Sequence, residues 1–434
     1  MKVVIVGGGW AGLAAAVQLI KNNISVSLLE ASRQLGGRAR LIRFGKNRLD
    51  NGQHIMLGAY KSLLQLMKDI NIKEDQVLKR LPLDLKLLDK NKTCFHLRTG
   101  NLPAPVHLLT GLIFARGLSL KDRATVFRAI MTMRLSGFNV APDIPLQEYL
   151  HHLGQTKKAV QYLWQPLCIS ILNTPIETAS TEIFLKVIRD AFFGKKSDSE
   201  MLLPINNLGA CFPDPAMDYI EQNNGNIQLG FRVDSLNISN NTIKGVISNN
   251  EILAADNVIL ASAPEHTLKL ISGIKVLNPV TTMLEKIESL PITTLYLRYG
   301  EPVSLNRDFV GFANCHTQWV FDRGRLTGDT GILAAVISGP GKHMTMTTEE
   351  LTSVITKEIT DHYPMFPAPI ETKLVREKRA TIAASVGINK HRIKNESPVK
   401  GLWFAGDYTD TGYPSTLEGA VRSGLNCAQL IINE

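Results

Sequence analysis

A chain of 434 residues exceeds what one compact core serves, so two domains are expected. An apolar share of 44% with 20% charged residues excludes disordered and fibrous classes. The net charge of +9 favours anionic partners, a phosphate-rich cofactor or an acidic lipid surface, whereas scattered basic residues and the lack of any binding motif exclude nucleic acid.

Val3, Val4, Ile5 and Val6 form a β-branched run suited to one buried parallel strand. Gly7, Gly9 and Gly12 follow at G-x-G-x-x-G spacing, and an Ala-rich helix continues through 13–20. A second strand over 25–29 ends at Glu30, eighteen positions beyond Gly12. This arrangement reads as dinucleotide binding. Gly7 makes the turn, Gly9 lets backbone approach a pyrophosphate, and Gly12 allows helix to pack on strand. The helix N-terminus offers free N–H groups to phosphate, and Glu30 accepts from a ribose hydroxyl. A signal peptide or membrane span between Lys2 and Lys21 is disfavoured, because a glycine triplet interrupts the run and a strand follows directly.

Next comes Gly36-Gly37-Arg38, where two glycines permit close approach and an arginine can neutralise pyrophosphate. Asp50-Asn51-Gly52-Gln53-His54 admits two readings, a polar turn or a tract laying Gln53 and His54 against a cofactor ring. Residues 59–72 have the pattern of an amphipathic helix, and 82–203 read as mostly helical. Within them, 106–138 is apolar and carries only basic charges apart from Asp122. It reads equally as a core-packing hairpin or as a peripheral contact with an anionic membrane, and its charges prevent a span. Residues 201–215 read as a connector. Strand-like segments at 226–236, 245–247 and 257–260 return to the nucleotide-binding sheet, and 292–299, 318–322, 332–338 and 374–383 suit an antiparallel sheet.

A last buried strand, 401–405, runs into Gly406-Asp407, and a helix follows from Leu417 to Ile432. Asp407 suits a chain of sugar-like hydroxyls, and the N–H groups near Leu417 and Ala420 suit the polar edge of a flavin. No second G-x-G-x-x-G unit offers a separate nicotinamide site. Five dispersed cysteines without C-x-x-C argue against disulfides and a metal site and fit a reducing cytoplasm.

Taken together, these pieces resemble the FAD flavoproteins of the amine oxidase and phytoene desaturase superfamily over nearly the whole chain. The resemblance implies an α/β fold: a Rossmann-type FAD-binding domain with a parallel sheet, plus a discontinuous α+β substrate domain. The FAD-binding domain would comprise 1–80, 201–285 and 384–434, and the substrate domain 81–200 and 286–383. FAD contacts are implied at Gly7, Gly9, Trp10, Ala11, Gly12 and Glu30, at Gly37 and Arg38, and at Gln53 and His54. Further contacts are implied at Val233, in an expected strand, and at Gly406, Asp407, Thr416, Leu417 and Ala420. Thr416 stands where amine oxidases of the superfamily commonly carry an aromatic residue, which counts against amine substrates.

A closer resemblance is to the squalene-associated branch, the hydroxysqualene dehydroxylases. It rests on residues 50–54, Gln165-Pro166-Leu167-Cys168, Leu172-Asn173-Thr174, Leu203-Pro204, 212–216, Glu377-Lys378-Arg379-Ala380-Thr381 and 411–416. That branch implies reductive removal of an allylic hydroxyl from a long-chain isoprenoid in squalene and hopanoid biosynthesis. A proton donor must meet the leaving oxygen, with His54 and Asp50 as candidates. The electron donor would be NAD(P)H or a separate reductase. A cytoplasmic location is expected, with peripheral contact on the inner face of the membrane through 106–138 as one of the two readings of that segment. Three alternatives stand beside it: an oxidative carotenoid-type desaturase, an amine oxidase and a non-catalytic prenyl carrier.

Overall fold

A computed structural model describes residues 1–434. Five strands form a wholly parallel sheet in the order Asn226–Leu229, Ser25–Glu30, Lys2–Val6, Asn257–Leu260, Leu402–Phe404. Val3 to Val6, Asn257 to Leu260 and Leu402 to Phe404 are all buried, as strands covered on both faces must be. One cover is the helix Trp10–Lys21, with buried Leu13, Ala14, Val17 and Leu19. Against it lies the closing helix Leu417–Ile432, so close that a Cβ on Gly424 would stand 2.1 Å from the carbonyl oxygen of Ala11. The first and last units of the chain therefore fold as one body.

A seven-stranded sheet runs in the order Glu371–Ile382, Ser289–Arg298, Ile332–Ser338, Trp319–Asp322, Phe309–Phe312, Asp84–Asp89, Lys92–Arg98. All its pairings are antiparallel except Phe309–Phe312 with Asp84–Asp89. Two expectations fail here. The segment 82–203 is not mostly helical at its start, because Asp84–Asp89 and Lys92–Arg98 form a hairpin that supplies one edge of this sheet. Leu85, Leu87, Phe95 and Leu97 alternate with polar residues, a period of two that the frequent leucines disguise. Likewise 201–215 is no mere connector: Met201–Pro204 is a strand bonded to Met56–Leu57 and Leu78–Leu81, and the helix Pro213–Gln222 begins within it.

Residues 106–193 supply the helices Val106–Ile113, Leu120–Leu135, Leu146–His152, Gln165–Leu172 and Thr181–Phe192. Their apolar faces join a cluster of 58 buried residues that reaches Val4, Val6 and Leu29 of the parallel sheet. Ser235–Ser239, Thr242–Ser248 and Glu251–Ala254 form a separate small antiparallel sheet, so of the segments expected to return to the parallel sheet only Asn226–Leu229 and Asn257–Leu260 do so. No helix is long and apolar enough to cross a membrane.

Candidate cofactor and active site

The strand Lys2–Val6 ends at Gly7, whose φ of +118° and contact with Ala261 exclude a side chain. A Cβ on Gly12 would lie 2.0 Å from the Gly7 carbonyl oxygen, so this glycine serves helix-on-strand packing. Gly9 differs: the only atom within 4 Å of a Cβ there is the Cα of Gly37, at 4.0 Å. No protein atom demands a glycine at that position. The Gly9 and Gly37 backbones lie side by side, a Cβ on Gly37 standing 3.2 Å from the Gly9 Cα, and a glycine at position 9 leaves the loop bare for a closely approaching ligand. The helix that starts at Trp10 has no side-chain cap at Gly9 and no acidic residue in its first turn, so the free N–H groups of Trp10, Ala11 and Gly12 and the positive end of the helix dipole face that space unopposed.

Glu30 ends the second strand beside this loop. Its two carboxylate oxygens accept the amides of Gly8 and Ser32, each at 2.7 Å, and retain lone pairs for further donors. The Gly36 amide donates to the Gly8 carbonyl at 2.9 Å, locking the second glycine turn onto the first. The amides of Gly230 and Phe231 donate to the carbonyls of Ser32 and Glu30, which brings the segment holding Val233 to the same edge. Val233 itself lies in a loop, because the strand begins only at Ser235; the expected strand at this residue is corrected accordingly.

The two ends of the chain meet at Arg38, whose guanidinium donates to Asp407 Oδ1 at 2.5 Å. Asp407 is buried, and its other oxygen accepts from the Ser415 hydroxyl. Ser423, a buried residue of the closing helix, accepts the Gly406 amide at 2.9 Å and shares a 2.6 Å hydrogen bond with the Thr409 hydroxyl. Thr416 caps the closing helix by accepting the Gly419 amide at 3.1 Å, leaving Leu417 and Ala420 in its first turn.

The tract 50–54 is tied to Arg38. Asn51 donates through Nδ2 to the Arg38 carbonyl at 2.6 Å and through its amide to the Arg40 carbonyl at 2.8 Å. The phenol of buried Tyr296 donates to the Asp50 carbonyl at 2.7 Å and accepts from Gln53 Nε2 at 3.4 Å. Asp50 is 2% exposed and its Oδ1 accepts the Leu208 amide at 2.9 Å. Burial pushes its carboxyl up to about 6, against the Leu208 amide and the charge of Arg323, which pull it down. His54 Nδ1 stands 3.0 Å from the Gly52 carbonyl oxygen. That acceptor assigns the proton to Nδ1 and leaves Nε2 an acceptor in the neutral ring, the form that burial favours by lowering the pKa of the ring. The Thr294 hydroxyl is buried without a hydrogen-bond partner, 3.5 Å from where a Cβ on Gly52 would be.

The structure thus joins the glycine loop, Glu30, Arg38, Asp407 and the 50–54 tract through a continuous set of contacts. Sequence reading missed Tyr296, Ser423 and the role of Glu418. Glu418 is fully buried, and its carboxylate accepts the amides of Ser62 and Leu63 and the Nε of Arg422. It caps the helix Lys61–Asp69, 355 residues away in sequence at Leu63, so no local pattern announces the pairing.

The chain belongs to the flavin-containing amine oxidoreductase family, whose model matches residues 10–432. Its cofactor is FAD, and the uncapped helix, the Gly9 clearance and the acidic Glu30 fit that group. It is an oxidoreductase of this class. It is 26% identical to the hydroxysqualene dehydroxylase of Zymomonas mobilis over 99% of this chain and 98% of that one. It is 22% identical to the zeta-carotene desaturase of Zea mays over 99% of this chain and 83% of that protein. Among solved structures, an oxidoreductase from Methanosarcina mazei superposes with a TM-score of 0.80 at 17% identity, covering 99% of this chain and 100% of that one, which shows the shared fold.

Proposed function

We propose that this protein removes the allylic hydroxyl of hydroxysqualene reductively, releasing squalene. What carries the reading is the convergence of the segments that resemble the squalene-associated branch. Asn173 Nδ2 donates to Thr381 Oγ1 at 2.8 Å, and Asn173 Oδ1 accepts the Gly339 amide at 2.6 Å. Arg38 donates to the Ala380 carbonyl at 3.2 Å, and Asn51 Nδ2 lies 3.5 Å from Glu377. Three tracts spread over more than 300 residues, 50–54, 172–174 and 377–381, therefore meet at one wall. The near full-length similarity to the Zymomonas mobilis dehydroxylase supports the same reading. The isoprenoid is assigned to the domain formed by 81–200 and 286–383, whose apolar helices suit a long hydrocarbon.

Bound FAD, once reduced by NAD(P)H or a reductase, supplies the hydride that replaces the departing oxygen. Hydroxide is a poor leaving group, so a proton must be at hand. Asp50 is assigned this role: burial raises its carboxyl to about 6, and with Oδ1 accepting the Leu208 amide, Oδ2 is the oxygen that would carry the proton. His54, neutral with Nδ1 on the Gly52 carbonyl, accepts through Nε2 and orients rather than donates. Burial of Asp50, Asn51 and Tyr296 keeps water from this wall.

The test is anaerobic incubation of the pre-reduced enzyme with hydroxysqualene, with products resolved by mass spectrometry. Squalene in proportion to reduced enzyme is expected. A reduced enzyme that leaves hydroxysqualene intact, together with an oxidised enzyme that adds double bonds to a polyene, would establish the desaturase reading instead.

A further inference from the structure

We infer that the helical hairpin Val106–Ile113 and Leu120–Leu135 is a docking surface for an anionic lipid bilayer. Helix Leu120–Leu135 has two apolar faces. Its inner face, with Val126, Ala129 and Met133, is fully buried in the main apolar cluster. At about 100° per residue, Leu120, Ala124, Phe127, Met131 and Leu135 fall on the opposite side, within roughly 80° of arc. Leu120 is 81% exposed and Leu135 84%, and Phe114 at the turn between the helices is 77% exposed. Phe127 of that stripe and Val106 and Ile113 of the preceding helix are also exposed. A cluster of large side chains held in water on one surface marks an interaction site.

Charge selects the occupant. On the same helical projection, Lys121 and Arg128 border one side of the outer stripe, and Arg123 and Arg134 border the other. Residues 102–138 contain five basic side chains and a single acid, Asp122. That acid is buried on the inner side, bonded to the amide and hydroxyl of Ser119 and to the hydroxyl of Thr156, and it leaves a net excess of four cations. An apolar stripe edged by cations suits a plane that is greasy within and negative at its rim. The inner face of this helix belongs to the cluster that continues to Val6 and Leu29 near the cofactor loop, which places the surface at the outer end of a continuous apolar body. The surface stands independently of the reaction proposed above.

The test is flotation of the FAD-loaded protein with vesicles of phosphatidylcholine alone or mixed with phosphatidylglycerol, at low and high salt. The protein is expected to float with the mixed vesicles and to be released by salt. Leu120→Ser, Phe127→Ser and Leu135→Ser together should weaken that binding at least about tenfold while keeping the flavin absorbance and melting point, because all three side chains already face water. Lys121→Glu with Arg128→Glu should do the same by charge alone, and serves if the triple variant is not recovered folded. Met365→Ser, at a residue 95% exposed elsewhere, should change nothing. The inference is overturned if the wild type stays with the aqueous fraction, if the variants bind as well as it does, or if the patch instead drives a concentration-dependent dimer with no vesicle binding.

Discussion

Gly9 and Gly12 stand three residues apart in one motif, yet the structure gives them different duties. Gly9→Ala leaves the protein almost untouched, since its φ of −75° suits alanine and the nearest atom to the new methyl is 4.0 Å away. A reduced unfolded-state entropy of about 0.4–1 kcal/mol and the loss of a preferred N-cap residue, about 1 kcal/mol, oppose each other. The cofactor-free stability should therefore move by less than about 1 kcal/mol. Gly12→Ala sets a methyl 2.0 Å from a backbone oxygen that cannot yield without moving the strand, a cost of at least about 2 kcal/mol. FAD binding should respond in the opposite order. The methyl on Gly9 occupies the ligand's clearance and should weaken FAD at least about tenfold, or about 1.4 kcal/mol. Urea denaturation of the FAD-free proteins and fluorescence titration with FAD separate the two quantities. If Gly9→Ala bound FAD like the wild type, or unfolded as readily as Gly12→Ala, the division between ligand clearance and packing would be wrong.

Glu418→Ala should lower stability by about 2–4 kcal/mol, because the amides of Ser62 and Leu63 and the Arg422 guanidinium lose their acceptor together, with little effect on FAD affinity. The reverse pattern in denaturation and FAD titration would make Glu418 a cofactor contact. The Asp50 carboxyl is raised from 3.8 to about 6 by burial, so between those values the native state keeps a proton the unfolded chain has released. Its contribution to stability is present at low pH and lost as pH rises through about 6. Asp50→Asn, which still accepts the Leu208 amide, should gain up to about 3 kcal/mol over the wild type above that window, and equal pH slopes in urea titrations of both proteins would contradict this. Arg38→Ala should reduce FAD affinity and destabilise the protein by about 1–2 kcal/mol, discounted for the arginine's partial exposure, by stranding buried Asp407. A double-mutant cycle with Asp407→Asn measures the coupling, and additivity would deny the pair.

The closing helix was legible to its ends, Leu417 and Ile432, because a Thr cap and a regular apolar stripe are local features. So were the glycine loop and the Glu30 strand, where each residue's conformation dictates its type. The hairpin at 84–98 was misread because its alternation is written in leucines, and the strand Phe309–Phe312 was missed because four residues carry no period of their own. Within the site, Arg38, Gly37 and Asp407 stood out by chemistry. Tyr296 and Ser423 did not, since a phenol and a hydroxyl acquire meaning only from carbonyls and amides that tertiary folding brings to them.

The parallel sheet takes its strands from near residues 2, 25, 226, 257 and 402. Arg38 and Asp407, which close the cradle, are separated by 369 positions. At ribosomal speeds of about 5–20 residues per second, roughly 20–70 s pass between their emergence. Throughout that interval the first glycine turn has Glu30 and Gly36 to hold it, but Arg38 lacks the carboxylate it pairs with in the finished fold. Closure of the cradle is thus a late event in synthesis, because a chain halted before residue 402 lacks both the fifth strand of the parallel sheet and the carboxylate that Arg38 holds.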